Sequence, residues 1–174
     1  MKLERGGERG TGGVDGLSPE ALVERHWESV YRLVYHLCGN LHDAQDLAQE
    51  TFLKALAAAD SFKAGTNLKA WLLRIASNTF LDLRRRKKTA RARPMEAEPA
   101  VTTPDGVEQN ELTRHVTSAI GQLEDVQRTV FLLRSQEDLS FREIAEVIKT
   151  SEETARWHMM QARRKLMKEL DGKV

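Results

Sequence analysis

Three prolines, Pro94, Pro99 and Pro104, fall within eleven residues near the middle of this chain, and the stretch from Pro94 to Glu111 holds five acidic residues and no lysine or arginine. Proline lacks an amide hydrogen and its ring blocks the preceding helical turn. Prolines at this density rule out a helix and favour an extended chain. On both sides the sequence behaves differently: apolar residues recur every three or four positions, the spacing of one helix face. A chain of 174 residues divided in this way is expected to fold as two small helical units on an acidic tether. The expected class is all-α, with residues 18–93 and 108–174 as the two units and 94–107 as the linker. Residues 1–17, with six glycines among charged residues, are expected to form a disordered arm.

Within the first unit, Ser18-Pro19-Glu20 reads as a helix start, with serine as cap and proline at the first helical position. Val23, Trp27, Val30, Val34 and Leu37 make one apolar stripe, and Gly39-Asn40 ends it. A second helix from about His42 to Ala59 buries Ala44, Leu47, Ala48, Thr51, Phe52, Ala55 and Leu56. Its other face is polar and acidic: Asp43, Gln45, Asp46, Gln49 and Glu50. Asp60 to Thr66 reads as a loop containing Gly65. A third helix starts near Asn67, carries Leu68, Trp71, Leu72, Ile75, Thr79 and Leu83, and ends in the cation run Arg84-Arg85-Arg86-Lys87-Lys88. Trp71 lies on the apolar stripe and is expected in the core.

In the second unit, Leu112, Val116, Ala119 and Ile120 form one stripe, and Leu123, Val126, Val130, Phe131 and Leu133 another. Then comes a short helix from Ser140, with Glu143 at the capping-box spacing. Lys149-Thr150 makes a tight turn, and Ser151 caps a last helix from Glu152 to about Leu170. Two short capped helices around a tight turn are helix-turn-helix grammar, in which the second helix reads base edges and its cations hold phosphates. The reading helix offers Glu152, Glu153, Arg156, Trp157 and Gln161 near its start and along one side, and Arg163, Arg164, Lys165 and Lys168 further on. The competing reading is a helical hairpin in a bundle with a solvated basic end. The Arg84–Lys88 run has a similar alternative, since cations at a helix C-terminus also complement its dipole.

Composition narrows the function. Net charge is only +1, so any nucleic-acid binding must come from local basic patches. One cysteine, Cys38, excludes a disulfide framework and a cysteine zinc finger. His36, Cys38, His42 and Asp46 sit near metal-ligand spacing, but Gly39-Asn40 interrupts the helix and breaks a shared face, so no metal and no cofactor is expected. There is no phosphate loop and no nucleophile elbow, and hence no enzyme expectation. The start lacks the apolar core of a signal peptide, and no stretch is long and apolar enough for a membrane span, which points to a cytoplasmic protein.

These residues carry a specific resemblance. Asp43-Ala44-Gln45-Asp46-Leu47-Ala48-Gln49-Glu50-Thr51-Phe52 resembles the most recognisable motif of the extracytoplasmic-function sigma factors of bacterial RNA polymerase. The resemblance implies that Asp43, Gln45, Asp46, Gln49, Glu50 and Phe52 dock on the clamp helices of the polymerase's largest subunit, with the flap of the second-largest subunit as a further partner. Trp71-Leu72-Leu73-Arg74-Ile75-Ala76-Ser77-Asn78, continuing into the cation run, is similar to the helix that engages the minus-ten promoter element. It implies that the loop residues Phe62, Lys63, Gly65, Thr66 and Asn67 capture a flipped base. Asn78 would face the same strand, and Arg84, Arg85, Arg86, Lys87 and Lys88 would hold the duplex backbone. Leu139 to Ala145 and Ala162-Arg163-Arg164-Lys165-Leu166 resemble the helix-turn-helix that reads the minus-thirty-five element, which implicates Ser151, Glu152, Glu153, Thr154, Arg156, Trp157, Arg163, Arg164 and Lys165. The resemblance covers about Leu22 to Leu170, with its motifs in order. It departs at Lys149, where the turn usually has glycine, at Ala155, usually valine, and at the bulkier Trp157-His158-Met159-Met160.

The resemblance implies promoter DNA and core RNA polymerase as partners, an anti-sigma protein as regulator, and promoter opening without catalysis. The alternative is a stand-alone helix-turn-helix regulator, for which the acidic second helix and acidic linker would have no role. About 20 extended residues reach at most ~66 Å, roughly two DNA turns of ~34 Å each, so a linker of this length lets two units sit on separated elements. Limited proteolysis tests the division: cleavage between Arg86 and Glu111 should precede any other, because exposed connections are nicked before packed helices. A resistant fragment spanning that segment would overturn it.

Overall fold

The computed structural model describes residues 14–90 and 111–171, and these fold into seven α-helices. The expected linker, 94–107, and residues 1–13 of the expected arm lie outside the described residues. The arm expectation is corrected at its end. Val14 and Leu17 pair across a tight turn in which Asp15 and Gly16 take positive φ, and Val14 is buried. One apolar side chain anchored on the core is enough to order this turn.

Helix α1 (Pro19–Cys38) starts where expected: the Ser18 hydroxyl accepts from Ala21 N–H at 3.2 Å, and proline occupies the first turn. Gly39, at φ 77°, closes it by donating to the Tyr35 carbonyl. Asn40 then caps α2 (Leu41–Ala57), accepting from Asp43 N–H at 2.8 Å. A two-residue connection of this kind folds α2 back against α1. A short 3-10 turn, Ala59–Ser61, and an open loop lead to α3 (Leu68–Ala90). The three helices close around Leu22, Val30, Leu33, Leu47, Leu72 and Phe80. Trp27 stacks on Phe52 at 6.0 Å.

The second bundle comprises α4 (Glu111–Gly121), α5 (Asp125–Ser135), α6 (Phe141–Ile148) and α7 (Glu152–Leu170). Helix α6 has the complete capping box: Ser140 Oγ accepts from Glu143 N–H, and the Glu143 carboxylate accepts from Ser140 N–H at 2.8 Å. Hydrogen bonds from the Ser140 backbone and hydroxyl hold Glu143 below the ordinary glutamate pKa. Lys149 ends α6 in the left-handed region, at φ 54° and ψ 54°. The turn keeps the geometry a glycine would adopt, and Thr150 N–H closes it on the Ala145 carbonyl at 2.9 Å. Ala155, where a larger residue is usual, is fully buried.

The two bundles pack on each other, α1 and α3 against α5 and α6. Arg128 pins them together. Its guanidinium donates to the Leu37 carbonyl at the end of α1 (2.7 Å) and to Ile120, Gly121 and Leu123 carbonyls at the end of α4. Those carbonyls lie at or just past helix ends, where helical amide donors run out, so a single cation caps the ends of two helices. Burial pushes the Arg128 pKa down from its ordinary value.

Lysine has a Cβ that crowds the left-handed conformation, and glycine does not. Lys149→Gly should therefore stabilise the second bundle by about 1 kcal/mol, whereas Ser140→Ala should cost about 1 kcal/mol. Urea unfolding with the midpoint read at constant slope measures both. A destabilised Lys149→Gly would show that its side chain makes contacts worth more than the strain.

Candidate nucleic-acid interface

The loop before α3 is built by its own hydrogen bonds. Thr66 donates from its amide (3.2 Å) and its hydroxyl (2.7 Å) to the Lys63 carbonyl. Gly65 takes φ 82°, and a side chain there would meet no atom within 4 Å, so the conformation selects glycine and the space in front of it is open. Asn67 Oδ1 accepts from Ala70 N–H at 3.0 Å and caps α3. Phe62 is half-buried, edge-on to Trp71 at 5.3 Å, and Lys63 is exposed. Three of the five predicted loop residues, Lys63, Thr66 and Asn67, border a cavity of about 380 Å³ whose far side is α6. Trp71 is in the core, as expected, and so is Phe80. Neither presents a face for base stacking.

Asn78 is half-buried on α3, two turns before the cation run. Arg84 to Lys88 are all exposed, and three of them are engaged. Arg84 Nε lies 3.1 Å from both Asp125 oxygens, Arg85 pairs with Asp82 at 3.0 Å, and Lys87 pairs with Asp43 at 3.2 Å. Exposed pairs of this kind are worth at most about 1 kcal/mol, so the cations can exchange carboxylate for phosphate at little cost.

Helix α7 carries the other basic group. Ser151 Oγ accepts from Thr154 N–H at 3.1 Å, and Thr154 is half-buried in that cap. Glu152 and Glu153 are exposed in the first turn. Arg156 is exposed yet held: it pairs with Glu152, and its guanidinium lies 4.6 Å from the centre of the Phe141 ring. Such stacking pre-orients the donor fork. Trp157 is 49% exposed, and Met160 is exposed one turn on. Arg163 and Arg164 are exposed further along, and Lys165 pairs with Glu124 at 3.2 Å. The sequence reading names Met160 only as part of a bulky departure and does not place it on the reading face. Its signal is its place three residues after Trp157, off the buried stripe.

The acidic face of α2 is on the surface. Gln45, Asp46, Gln49 and Glu50 are exposed, while Asp43 is half-buried. Burial pulls the Asp43 pKa up, but hydrogen bonds from Asn40 and Lys87 outweigh it and hold the carboxyl below its ordinary value. The assignment of Phe52 to this face is corrected: it is 4% exposed, stacked under Trp27, because it follows the buried Thr51 on the core side of the helix. The exposed apolar residue on this face is Leu53, at 68%. It lies three and seven residues after Glu50 and Asp46, a helical spacing that could have found it.

His36 and Cys38 are largely buried at the end of α1, and burial pushes the Cys38 thiol up to about 12. His42 pairs with Asp46 at 3.2 Å. No group of three or more His, Cys, Asp or Glu side chains converges as a metal site among the described residues. No described helix is long and apolar enough to cross a membrane.

Residues 22–90 match the family described as Sigma-70 region 2, and residues 114–166 match Sigma-70 region 4. The chain is 32% identical to the ECF RNA polymerase sigma factor SigW of Bacillus subtilis over 164 residues, covering 86% of this chain and 87% of that protein. It is 33% identical over 153 residues to the ECF RNA polymerase sigma factor SigE of Mycolicibacterium smegmatis, covering 84% of this chain and 59% of that one. Its fold is similar to that of the sigma factor RpoE of Bartonella quintana, solved in complex with the anti-sigma factor NepR, with a TM-score of 0.75 at 25% identity over 87% of this chain and 96% of that one. Two helical bundles in this order, the first with its acidic helix and cation-tailed third helix, the second with a capped helix-turn-helix, place the chain in the extracytoplasmic-function sigma factors, the DNA-binding initiation factors that direct RNA polymerase to promoters.

Proposed function

We propose that this protein works in the cytoplasm and starts transcription through three surfaces, with no catalytic step of its own. The acidic face of α2 docks on the polymerase clamp helices through Asp46, Gln49 and Glu50, with Leu53 as an apolar anchor. The loop from Phe62 to Asn67 captures an unstacked minus-ten base, and the exposed cations of Arg84–Lys88 hold the neighbouring backbone. The first turns of α7 read the minus-thirty-five element through Arg156 and Trp157, with Arg163, Arg164 and Lys165 on phosphates. The observation that carries the reading is the exposed, pre-oriented Arg156 at the start of a capped reading helix. Control falls to an anti-sigma protein, as for the Bartonella quintana factor solved with NepR.

Each surface has its own measurement. Asp46 and Glu50 make only exposed pairs with His42 and Lys54, worth a few tenths of a kcal/mol each. The double reversal Asp46→Arg with Glu50→Arg should therefore leave helicity intact and weaken binding to core polymerase at least about tenfold, an outcome in line with ~1.4 kcal/mol lost at the interface. Undiminished binding would remove α2 from the docking face.

Selection of active promoters from a random library by the reconstituted holoenzyme tests the reading helix. Arg156→Ala should cost ~1–3 kcal/mol and relax preference at one or two upstream positions, while Arg163→Ala should weaken all promoters alike. Identical selectivity profiles for the two variants would refute this division of labour.

A further inference from the structure

Helix α7 carries an apolar strip on the side turned away from its own bundle. Ala155, Met159, Ala162 and Leu166 are its buried residues. At 3.6 residues per turn the opposite side of the helix runs through Glu153, Trp157, Met160 and Arg164. Trp157 is 49% exposed and Met160 57%, with Glu153 and Arg164 exposed at either end of the strip. The indole is not loose: it meets the His158 ring edge-on at 5.0 Å, and His158 is half-buried. Burial holds the His158 pKa below its ordinary value against an opposing pull from Glu124, so an uncharged ring backs the strip. An indole and a thioether side by side in water gain free energy when a partner covers them.

The charges around the strip indicate what that partner is. Arg163 and Lys165 are two residues apart and so lie on opposite flanks of α7. Arg163 is exposed, and Lys165 is held only by its exposed pair with Glu124. Cations on both flanks match the two phosphate backbones that border the major groove of DNA, whose width of about 12 Å admits one helix. The strip between them then faces the groove floor. Glu153 fits only there, because a phosphate repels its carboxylate whereas a base amino group donates to it. The apolar group on that floor is the 5-methyl of thymine. Trp157 and Met160 are about 4.5 Å apart along the helix axis, close to the ~3.4 Å step between base pairs, so they reach neighbouring pairs.

We propose that Trp157 and Met160 are specificity-determining residues that select thymine by its methyl group at two neighbouring base pairs of the minus-thirty-five element. The proposal rests on the assignment of α7 to that element and deepens it. It adds base identities read by shape and by loss of water rather than by hydrogen bonds, at the very positions where this helix departs toward bulkier side chains. Cytosine carries only hydrogen at the same ring position, so the strip discriminates between the two pyrimidines.

The test removes the methyl group and nothing else. Promoters recovered by library selection are rebuilt with each minus-thirty-five thymine replaced in turn by deoxyuridine, which pairs identically, and binding is measured with the reconstituted holoenzyme. Uracil at each of two adjacent positions should weaken binding about three- to fivefold, the weight of one methyl group taken out of water. Trp157→Gln should bind thymine and uracil alike at one of these positions, and Met160→Gln at the other. Both residues are exposed, so circular dichroism should show unchanged helicity. A selected element without adjacent A·T pairs, or uracil without effect at every position, would overturn the proposal and leave the strip to a protein partner. A uracil effect that persists in both variants would overturn it too, since the methyl would then act through DNA shape. Failure of the underlying assignment is read separately from Arg163→Ala on the unmodified promoters. If that variant binds as the parent does, α7 is not on the DNA; if it is weakened while uracil has no effect, α7 is on the DNA and its strip reads no methyl.

Discussion

A carboxylate with no exposed surface, Glu137, sits between two cations of the opposite bundle, and the closed arrangement depends on it. Taking a charge out of water is unfavourable by several kcal/mol, and it is tolerated only where the partners are well placed. Removing one partner of a buried pair costs on the order of 3–5 kcal/mol. Arg32 and Lys69 remain about two-fifths exposed, so solvent screening moves the value toward the low end of that range. The consequence is a threshold rather than a graded attraction. Slight separation of the bundles leaves Glu137 desolvated and unpaired. Full separation returns it to water. The packing is therefore close to two-state, which a surface ion pair could not provide.

Around that threshold the interface combines continuous apolar packing with polar contacts that are replaceable. Arg84–Asp125 and Asn67–Glu143 are exposed contacts across it. Arg128 is different. It satisfies helix-end carbonyls of its own bundle as well as Leu37, so on opening it loses one acceptor and keeps three. The second bundle thus does not lose its internal order when it departs. The interface adds a few oriented charges to an apolar core that runs continuously through both bundles.

The sequence made the helices legible, because capping chemistry and apolar spacing act within a few residues. Ser18, Asn40, Ser140 and Ser151 all cap through side chains where the pattern indicates a start or a break. The helix-turn-helix was legible for the same reason, although Lys149 holds a conformation that its residue type disfavours. Phe52 shows the limit of reading a motif as a surface: the motif runs around the helix, so part of it faces inward. Leu53 and Met160 were passed over because an apolar residue is read as core until its neighbours are known. The Glu137 ion-pair cluster was not legible at all. Arg32 and Glu137 are 105 residues apart in the chain, neither belongs to a local pattern, and a lone glutamate in a turn is ordinarily solvated.

The two uses of the cation run follow from the same physics. A guanidinium held by one exposed carboxylate gains little, since water and salt compete at a contact worth at most about 1 kcal/mol. On DNA the same cation meets a dense phosphate array and releases condensed counterions, a gain that grows with each phosphate neutralised. Alone, a cation such as Arg84 gains more from a phosphate array than from one exposed carboxylate. What allows Asp125 to hold it in the closed chain is that Asp125 arrives with the whole second bundle, whose position is already fixed by Glu137 and Arg128, so pairing costs no further ordering. The weak contact is made effective by the strong one, and it becomes weak again once the strong one is broken. A chain with a net charge of only +1 in this way sets Arg84, Arg85, Lys87, Arg156 and Lys165 against its own acids.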